Sequence, residues 1–429
     1  MSKLIVHGGK ALHGTVTPVA NKNSIIKLIP AILLTDQPVT LHNVPKTSDV
    51  INMLEMVTLL WWTVEWLSES SVKIHIAEIS VTSIDPSLSQ KMKSSVMFAW
   101  PLLARVGKAM MPMPQGCKLG ARPMDVFIDN MVQMGATYEY VDGQFLLSCE
   151  RLHGTDVWQR FPSVTGTENL ILMAVLAEGT TTIYNAACEP HTQDLCNMLV
   201  SMGAQIDGIG SNKLIIQWVA SLSGTIRTVQ SDHLDVAWLI AATVMTGGEV
   251  TIQHAMTAHM GIMIQAMQKL WITLIVDHIA DTITIPHQDT WHIHKTIKGD
   301  ILELQAWPWP LLPMDIMPIL LVLAMHCEGS AMVSNHYYTT QFFFIHELAK
   351  MKGRTVMADP HRIITFGPTA WKAADLLCSD IIQSSYGMLL AALVAEGTST
   401  LNAITPLFRR FPNFVEQFRS LGAEIELVD

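Results

Sequence analysis

Internal repetition is the feature of this chain that most constrains its fold. Residues 176–186 and 394–403 nearly copy each other, and each stretch combines the end of an apolar helix, a Gly stop and an alternating strand. Weaker copies of this pattern occur around Asp36, Gly107, Gly247 and Gly329. The pattern therefore recurs six times, at intervals of about 70 to 80 residues.

A second marker, an amphipathic helix that ends in front of a strand, has the same period. It occurs at Met134-Gly-Ala, Met202-Gly-Ala and Leu421-Gly-Ala, with Leu60, Leu270 and Met351 in register. Together the markers predict an α/β protein of six helix–strand–helix–strand units. Three units have Trp61, Trp271 or Lys352 where the others have Gly, and a side chain in the left-handed turn conformation costs about 1–2 kcal/mol per site.

Each unit also begins with a polar segment, of the residue types that cap helix N-termini. These segments are Asn23-Ser24, Ser94-Ser95, residues 163–167, Ser231-Asp232, Asp315 and Ser384-Ser385. If the units assemble as two pseudo-threefold domains, the helix N-termini converge on the cleft between them and attract anions there. We therefore predict a phosphate-binding cleft, with residues 22–230 forming one domain and residues 1–21 plus 231–429 the other.

Composition excludes several classes of protein. The chain has 429 residues, of which 49% are hydrophobic and 15% charged, which excludes a disordered chain, a coiled coil or a collagen-like fibre. The 27 Lys and Arg against 37 Asp and Glu lack the basic surplus of a nucleic-acid binder. Six Cys in so long a chain indicate reduced thiols in a cytosol and not a disulfide framework.

The most apolar window, residues 306–325, is about long enough to span a bilayer. It contains Asp315 and four prolines, which suit a membrane helix poorly. We therefore predict a buried core segment here and a cytoplasmic protein without a membrane partner.

The Pro- and Gly-rich loop 112–125 is the strongest candidate for chemistry. It contains Cys117 with Lys118 and Arg122 nearby, and positive charge lowers the pKa of a thiol and makes it reactive. A flexible loop of this kind can close over a ligand. The alternative is a small buried Cys in a turn. The sequence has no Walker, GxGxxG, HExxH or GxSxG motif to support other phosphate, zinc or hydrolase chemistry.

The segment Gly116-Cys117-Lys-Leu-Gly-Ala-Arg122-Pro123 resembles the catalytic loop of the UDP-N-acetylglucosamine enolpyruvyl transferases. Supporting matches are Asn21-Lys22-Asn23, residues 43–49, Pro162-Ser-Val164, Pro313-Met-Asp315 and Arg409 with Leu421-Gly-Ala. The resemblance covers essentially the whole chain. It implies two inside-out α/β barrels of three repeats each.

The resemblance also implies a reaction. The family transfers the enolpyruvyl group of phosphoenolpyruvate to the 3′-hydroxyl of UDP-N-acetylglucosamine and releases phosphate, which is the first committed step of peptidoglycan synthesis. It implies no cofactor and no metal, and only small molecules as partners. A monomer is expected.

Carried over by position, Cys117 is the proton donor, and Asp315 is the base or orienter at the sugar hydroxyl. Lys22, Arg122 and Arg409 would hold phosphoenolpyruvate. The resemblance places further residues in the substrate site: Asn23, Lys93, Pro123, Met124, Asp125, Val126, Ser163, Val164, Tyr337, Gln341 and Gln383.

Four positions depart from the family pattern, because Lys93, His233, Gln341 and Gln383 stand where the family typically has Arg. Gln341 and Gln383 fall among the expected phosphoenolpyruvate contacts, and two lost charge-assisted hydrogen bonds cost on the order of 3–6 kcal/mol. Three hypotheses follow. The chain is an active transferase with weakened catalysis, a sugar-nucleotide-binding paralogue without turnover, or, less in keeping with the Cys loop, the sister transferase that acts on shikimate 3-phosphate.

Overall fold

The computed structural model of this chain describes residues 2–59, 62–83, 93–112 and 125–428, except for the side chains of residues 93–95, 112 and 126. Its elements follow the predicted period. Among the described residues, five of the six repeats have a first helix, a strand, a second helix and a hairpin of two further strands, whereas one strand, Glu424–Val428, follows the second helix of the sixth.

The described chain divides into two compact units. We call residues 20–230 the N-unit, and residues 2–19 with 231–428 the C-unit. Each unit contains three repeats and a hydrophobic core of its own.

The first helices of the six repeats are the most buried elements. They are Lys22–Ala31, Ala99–Val106, Val164–Ala174, His233–Met245, Met317–His326 and Ile382–Val394. Every residue of His233–Met245 is buried, and this helix contacts both other first helices of the C-unit. A helix that is apolar on all sides is stable only inside a core, which explains these sequences.

The second helices are more exposed on one side. They are Ser48–Leu59, Asp125–Gln133, Pro190–Ser201, Gly261–Gln268, Ile345–Lys350 and Phe414–Ser420. The remaining helical segments are Thr405–Phe408 and the 3₁₀ turns Ile32–Leu34, Lys93–Phe98, Thr257–His259 and Met314–Ile316.

Within the described residues the strands form six sheets with one common connectivity. The first strand of a repeat pairs antiparallel with the third strand, and the third pairs antiparallel with the second. A short strand from outside the repeat then adds in parallel beside the first. In the sheet of repeat 2, Ser83 takes this parallel position as a single bridge to Met110.

The N-unit sheets, in spatial order, are Ile226–Thr228, Val39–His42, Ser71–His75, Thr63–Ser68; Lys108–Pro112, Gln144–Ser148, Thr137–Val141; and Asp156–Trp158, Thr180–Tyr184, Lys213–Gln217, Gln205–Asp207.

The C-unit sheets, in the same order, are His13–Val16, Glu249–Gln253, Thr282–Ile285, Ile275–Asp277; Leu302–Gln305, Gly329–Ser334, Arg362–Gly367, Thr355–Asp359; and Asp375–Leu377, Thr398–Asn402, Lys3–His7, Glu424–Val428. The strand Lys3–His7 thus completes the sheet of the last repeat from the other end of the chain.

The backbone angles agree with the left-handed turns that were predicted after the second helices. Gly203 has φ 106°, and Trp271 and Lys352 are forced into the same left-handed region at φ 59° and 72°. Trp61 lies outside the described residues.

The cap prediction is partly wrong. Asn21, Ser163 and Asp232 cap their helices through side-chain oxygens, so the first cap lies two residues before the predicted Asn23. Ser384 and Ser385 do not cap the helix Ile382–Val394, because their hydroxyls donate to the carbonyls of Gln341 and Ser379.

The apolar window 306–325 does not form one long helix. Its helical part, Met317–His326, has 10 residues and is buried in the C-unit core. No helix of the described chain is long and apolar enough to cross a bilayer.

Candidate active site

The first helix of the N-unit begins with a fixed cationic group. Asn21 Oδ1 accepts from the backbone N–H of Asn23 at 2.9 Å and of Ser24 at 3.2 Å, which sets the helix start. Lys22 is the first helical residue, and only 7% of it is exposed. Its ammonium forms an ion pair with Asp49 from the second helix. Lys22 is therefore a held group and not a solvated surface charge.

Two further ionic contacts lie behind Lys22. Lys27 pairs with Glu168, which is fully buried. Burial raises the pKa of Glu168, although Lys27 opposes that shift. Asp194 accepts from the Ser24 hydroxyl, and it also accepts two hydrogen bonds from the Arg227 guanidinium, at 3.2 Å to Nε and 2.7 Å to Nη2. The start of the helix Lys22–Ala31 is thus braced by charge on its inner side.

In the C-unit the corresponding region centres on a guanidinium that is almost fully buried. Arg410 Nε and Nη2 donate to Asp232 at 2.8 and 2.9 Å. Arg410 Nη1 lies 3.6 Å from Asp315 Oδ2, and the Asp315 side chain remains 28% exposed. One cation therefore joins the cap of the helix His233–Met245 to a carboxylate that a ligand can reach.

Two titratable groups flank this arrangement. Desolvation, together with the charge of Asp232, raises the pKa of Asp235 to about 7. Burial lowers the pKa of His233 to about 4, so this imidazole is neutral at neutral pH. Asp235 accepts from the Val19 N–H at 2.8 Å.

The turn that carries Asp315 is held from its other side. Gln341 is fully buried, and its Nε2 donates to the Met314 carbonyl at 2.9 Å while its Oε1 accepts from Asn335. The Ser384 hydroxyl in turn donates to the Gln341 carbonyl at 2.8 Å. In this structure the Gln341 amide fixes the backbone next to Asp315.

The other predicted site residues are less tightly held. Ser163 accepts from the Gly166 N–H at 3.1 Å, and Val164 is the first residue of the helix that Ser163 caps. Tyr337 is exposed, with its N–H donated to Asn335. Gln383 is half-buried in the first turn of the helix Ile382–Val394, and Arg409 is exposed at the end of Thr405–Phe408.

Part of the predicted site lies outside the described residues, namely Cys117, Arg122, Pro123 and Met124. Lys93 and Val126 are described by their backbone alone, and Asp125 is an exposed residue at the start of the helix Asp125–Gln133. No group of three or more metal-binding side chains occurs among the described residues.

The described cysteines contrast with the chemistry predicted for Cys117. Burial raises the pKa of Cys188 to about 11 and that of Cys196, Cys327 and Cys378 to about 12, and it also raises the pKa of Cys149. Thiols of this kind are protonated at neutral pH and react slowly.

Comparison with known proteins decides the family. The family model described as EPSP synthase (3-phosphoshikimate 1-carboxyvinyltransferase) matches residues 6–418. The UDP-N-acetylglucosamine 1-carboxyvinyltransferase of Bradyrhizobium diazoefficiens is 37% identical, over 99% of this chain and 97% of its own length. The protein of the same name from Borreliella burgdorferi is 35% identical over 100% and 99%. The chain belongs to the enolpyruvyl transferases.

Solved enolpyruvyl transferases have the same fold. NikO from Streptomyces tendae superposes with a TM-score of 0.86 at 22% identity, over 100% of this chain and 99% of that one. EPSP synthase from Acinetobacter baumannii gives a TM-score of 0.79 at 17% identity, over the full length of both chains. The predicted α/β enolpyruvyl transferase fold is confirmed.

For an enolpyruvyl transferase, this chain has contacts that the sequence did not reveal. Asp49 pairs with the predicted residue Lys22, and Arg410, which Asp232 anchors, pairs with the predicted residue Asp315. None of these three partners was among the predicted site residues. Asp49 lies in a segment that matches the family and Asp232 in a predicted cap, so the sequence contained a reason to examine both. Arg410 had none, because nothing in the Arg409-Arg410 pair tells which side chain is buried.

Proposed function

We propose that this protein transfers the enolpyruvyl group of phosphoenolpyruvate to the 3′-hydroxyl of UDP-N-acetylglucosamine and releases phosphate, in the cytoplasmic stage of peptidoglycan synthesis. The observation that carries the proposal is the 37% identity over nearly the full length of a relative with that activity in its name. The solved EPSP synthase, at 17% identity, supports the fold and not the substrate.

The reaction is an addition followed by an elimination. The 3′-oxygen forms a bond to C2 of phosphoenolpyruvate, its proton leaves to a base, and C3 gains a proton to become a methyl group. Loss of a C3 proton and cleavage of the C2–O bond to phosphate then restore the double bond. The step needs a proton donor near C3, a base near the sugar hydroxyl, and cations around phosphate and carboxylate.

We assign Cys117 as the proton donor and Asp315 as the base or orienter, as the family resemblance implies. The partial exposure of Asp315, on a turn that Gln341 and Arg410 hold, supports its role. Lys22, braced by Asp49, suits a fixed cation for phosphate, and Arg122 and Arg409 complete the phosphoenolpyruvate contacts. Asn23 and Val164 lie in the first turns of helices that Asn21 and Ser163 cap, and such helix starts suit the phosphates of the sugar nucleotide.

Phosphate release from phosphoenolpyruvate, with and without UDP-N-acetylglucosamine, tests the proposal. We expect release that depends on the sugar nucleotide. Cys117→Ser should abolish or strongly reduce it while calorimetric binding of the sugar nucleotide persists. Cys188→Ser is the matched control, because that buried thiol has a raised pKa and no assigned role. Unchanged turnover in Cys117→Ser would remove this thiol from the mechanism.

A sugar-nucleotide-binding protein without turnover is the second candidate. The observation that favours it is the full burial of Gln341, whose neutral amide is bonded to Met314 and Asn335 where the family pattern has a cation. Tight sugar-nucleotide binding without phosphate release would support this candidate, and Gln341→Arg with Gln383→Arg should then create activity. Release with shikimate 3-phosphate instead would identify the sister reaction.

A further inference from the structure

Arg410 has more ionic contacts than a structural pair requires. Its Nε and Nη2 both donate hydrogen bonds to Asp232, and Asp232 Oδ1 also accepts from the Leu234 N–H at 2.9 Å. The guanidinium also lies over the Phe411 ring, 5.7 Å from its centroid. A buried guanidinium is tolerated only when it is paired in a fixed geometry, so Arg410 is anchored to the start of a rigid helix.

The third nitrogen of the anchored guanidinium is directed at Asp315. Arg410 Nη1 is 3.6 Å from Asp315 Oδ2, and the Asp315 side chain is 28% exposed. A cation at this distance favours the ionised form of a carboxylate and restricts its rotation. The Gln341 amide donates to the carbonyl of Met314, the residue before Asp315. Both the backbone and the charged end of Asp315 are therefore fixed.

We infer that Arg410 is a positioning residue for the transfer reaction, which orients the Asp315 carboxylate towards the sugar hydroxyl. This inference rests on the proposed function. As the 3′-oxygen bonds to C2 of phosphoenolpyruvate, the hydroxyl proton passes to Asp315. Arg410 itself touches neither substrate.

A double-mutant cycle tests this role, with Arg410→Gln, Asp315→Asn and the double variant. Misplacement of a reacting group by about 1 Å can cost about 10²-fold, so we expect Arg410→Gln to lower kcat by about 10- to 100-fold with little change in KM. Arg410→Lys keeps the charge and should lose less. In the Asp315→Asn background the same change at Arg410 should produce no further loss. If steady-state release from Asp315→Asn falls below detection, single-turnover phosphate release, with enzyme in excess over substrate, completes the same cycle.

Arg105→Gln is the control for losing a partly buried guanidinium. Arg105 donates to the carbonyls of Leu33 and Thr35 at 2.8 and 2.6 Å, so this change should lower stability and leave kcat unchanged. If Arg410→Gln fails to fold, Arg410→Lys carries the cycle. Equal losses in both backgrounds would show a purely structural Arg410. Absence of release from the unmodified protein would contradict the transferase itself, and the role of Arg410 with it.

Discussion

The N-unit and the C-unit both bury ionised groups near the start of a first helix, and they neutralise them differently. In the N-unit each cation has a carboxylate of its own, in the pairs Lys22–Asp49, Lys27–Glu168 and Arg227–Asp194. In the C-unit Arg410 is shared by Asp232 and Asp315, while Asp235 accepts from the uncharged donors of Val19 and Gln417. The first arrangement balances charge locally, whereas the second leaves carboxylates in excess.

The difference teaches where each unit can respond to its surroundings. A matched buried pair is costly to break. In the C-unit Asp315 faces ligands, and Asp235, which accepts from uncharged donors, has a pKa raised to about 7. We therefore expect the N-unit cluster to act as a rigid brace, and we expect Asp235 to make the stability of the C-unit depend on pH.

The largest effect should come from breaking a matched pair. Lys27→Met leaves Glu168 buried without its cation, so we expect a loss of about 3–5 kcal/mol in the free energy of unfolding, measured with urea. The double change Lys27→Met with Glu168→Leu should recover most of it. Lys46→Met, which breaks the exposed pair with Glu69, should cost less than about 1 kcal/mol. A small effect of Lys27→Met would contradict the brace.

The next effect concerns the pH dependence that Asp235 contributes. The pKa of Asp235 is raised from 3.8 to about 7, so between these values the folded state holds a proton that the unfolded chain has released. The contribution of Asp235 to stability is therefore full below about pH 4 and falls as the pH rises to about 7. His233, with its pKa lowered to about 4, has the opposite slope, so the wild-type curve alone does not isolate Asp235.

Asp235→Asn removes the titration and isolates it. The stability of this variant relative to the wild type should rise by a few kcal/mol, on the order of 1.4 kcal/mol per unit of pKa shift, between pH 4 and pH 7. Urea unfolding at intervals of one pH unit measures the difference. If the free energies of unfolding of the two proteins depend on pH in the same way, Asp235 does not titrate as proposed.

The smallest effect tests a second contrast between the units. Lys352 in the C-unit occupies a left-handed turn position that Gly203 fills in the N-unit. Lys352→Gly relieves backbone strain but adds freedom to the unfolded chain, so we expect a net gain of about 0.5–1 kcal/mol. The reciprocal Gly203→Lys should cost about 0.5–1 kcal/mol by the same balance, since a Cβ there meets no atom within 4 Å and only backbone strain opposes it. Thermal unfolding of both variants measures the two changes in stability. If both variants are stabilised or both are destabilised, the comparison is wrong.

The repeat pattern was enough to predict an α/β chain of six units, because its period appears in short-range features: a turn after the second helix that Gly fills in three units, an apolar first helix and an alternating strand. The enolpyruvyl transferase fold itself was predicted from the family resemblance. Sites that depend on long-range contacts were harder to predict. Lys22 and Asp315 came from the family resemblance, but their partners Asp49 and Arg410 meet them only in three dimensions. Ser384 and Ser385 were predicted as caps because their residue type suits one, yet the hydroxyls bond to carbonyls from segments far along the chain or outside the helix.

The strand Lys3–His7 has a consequence for the order in which the molecule is made. It lies between Thr398–Asn402 and Glu424–Val428, and His7 bonds to Thr398 across 391 positions. At a synthesis rate of about 5–20 residues per second, the strand emerges from the ribosome about 20 to 80 seconds before its neighbours exist. The N-unit can complete its core in that interval, while the strand Lys3–His7 waits with both edges open. Chaperones that hold nascent chains would therefore meet this strand long before it can fold into its sheet.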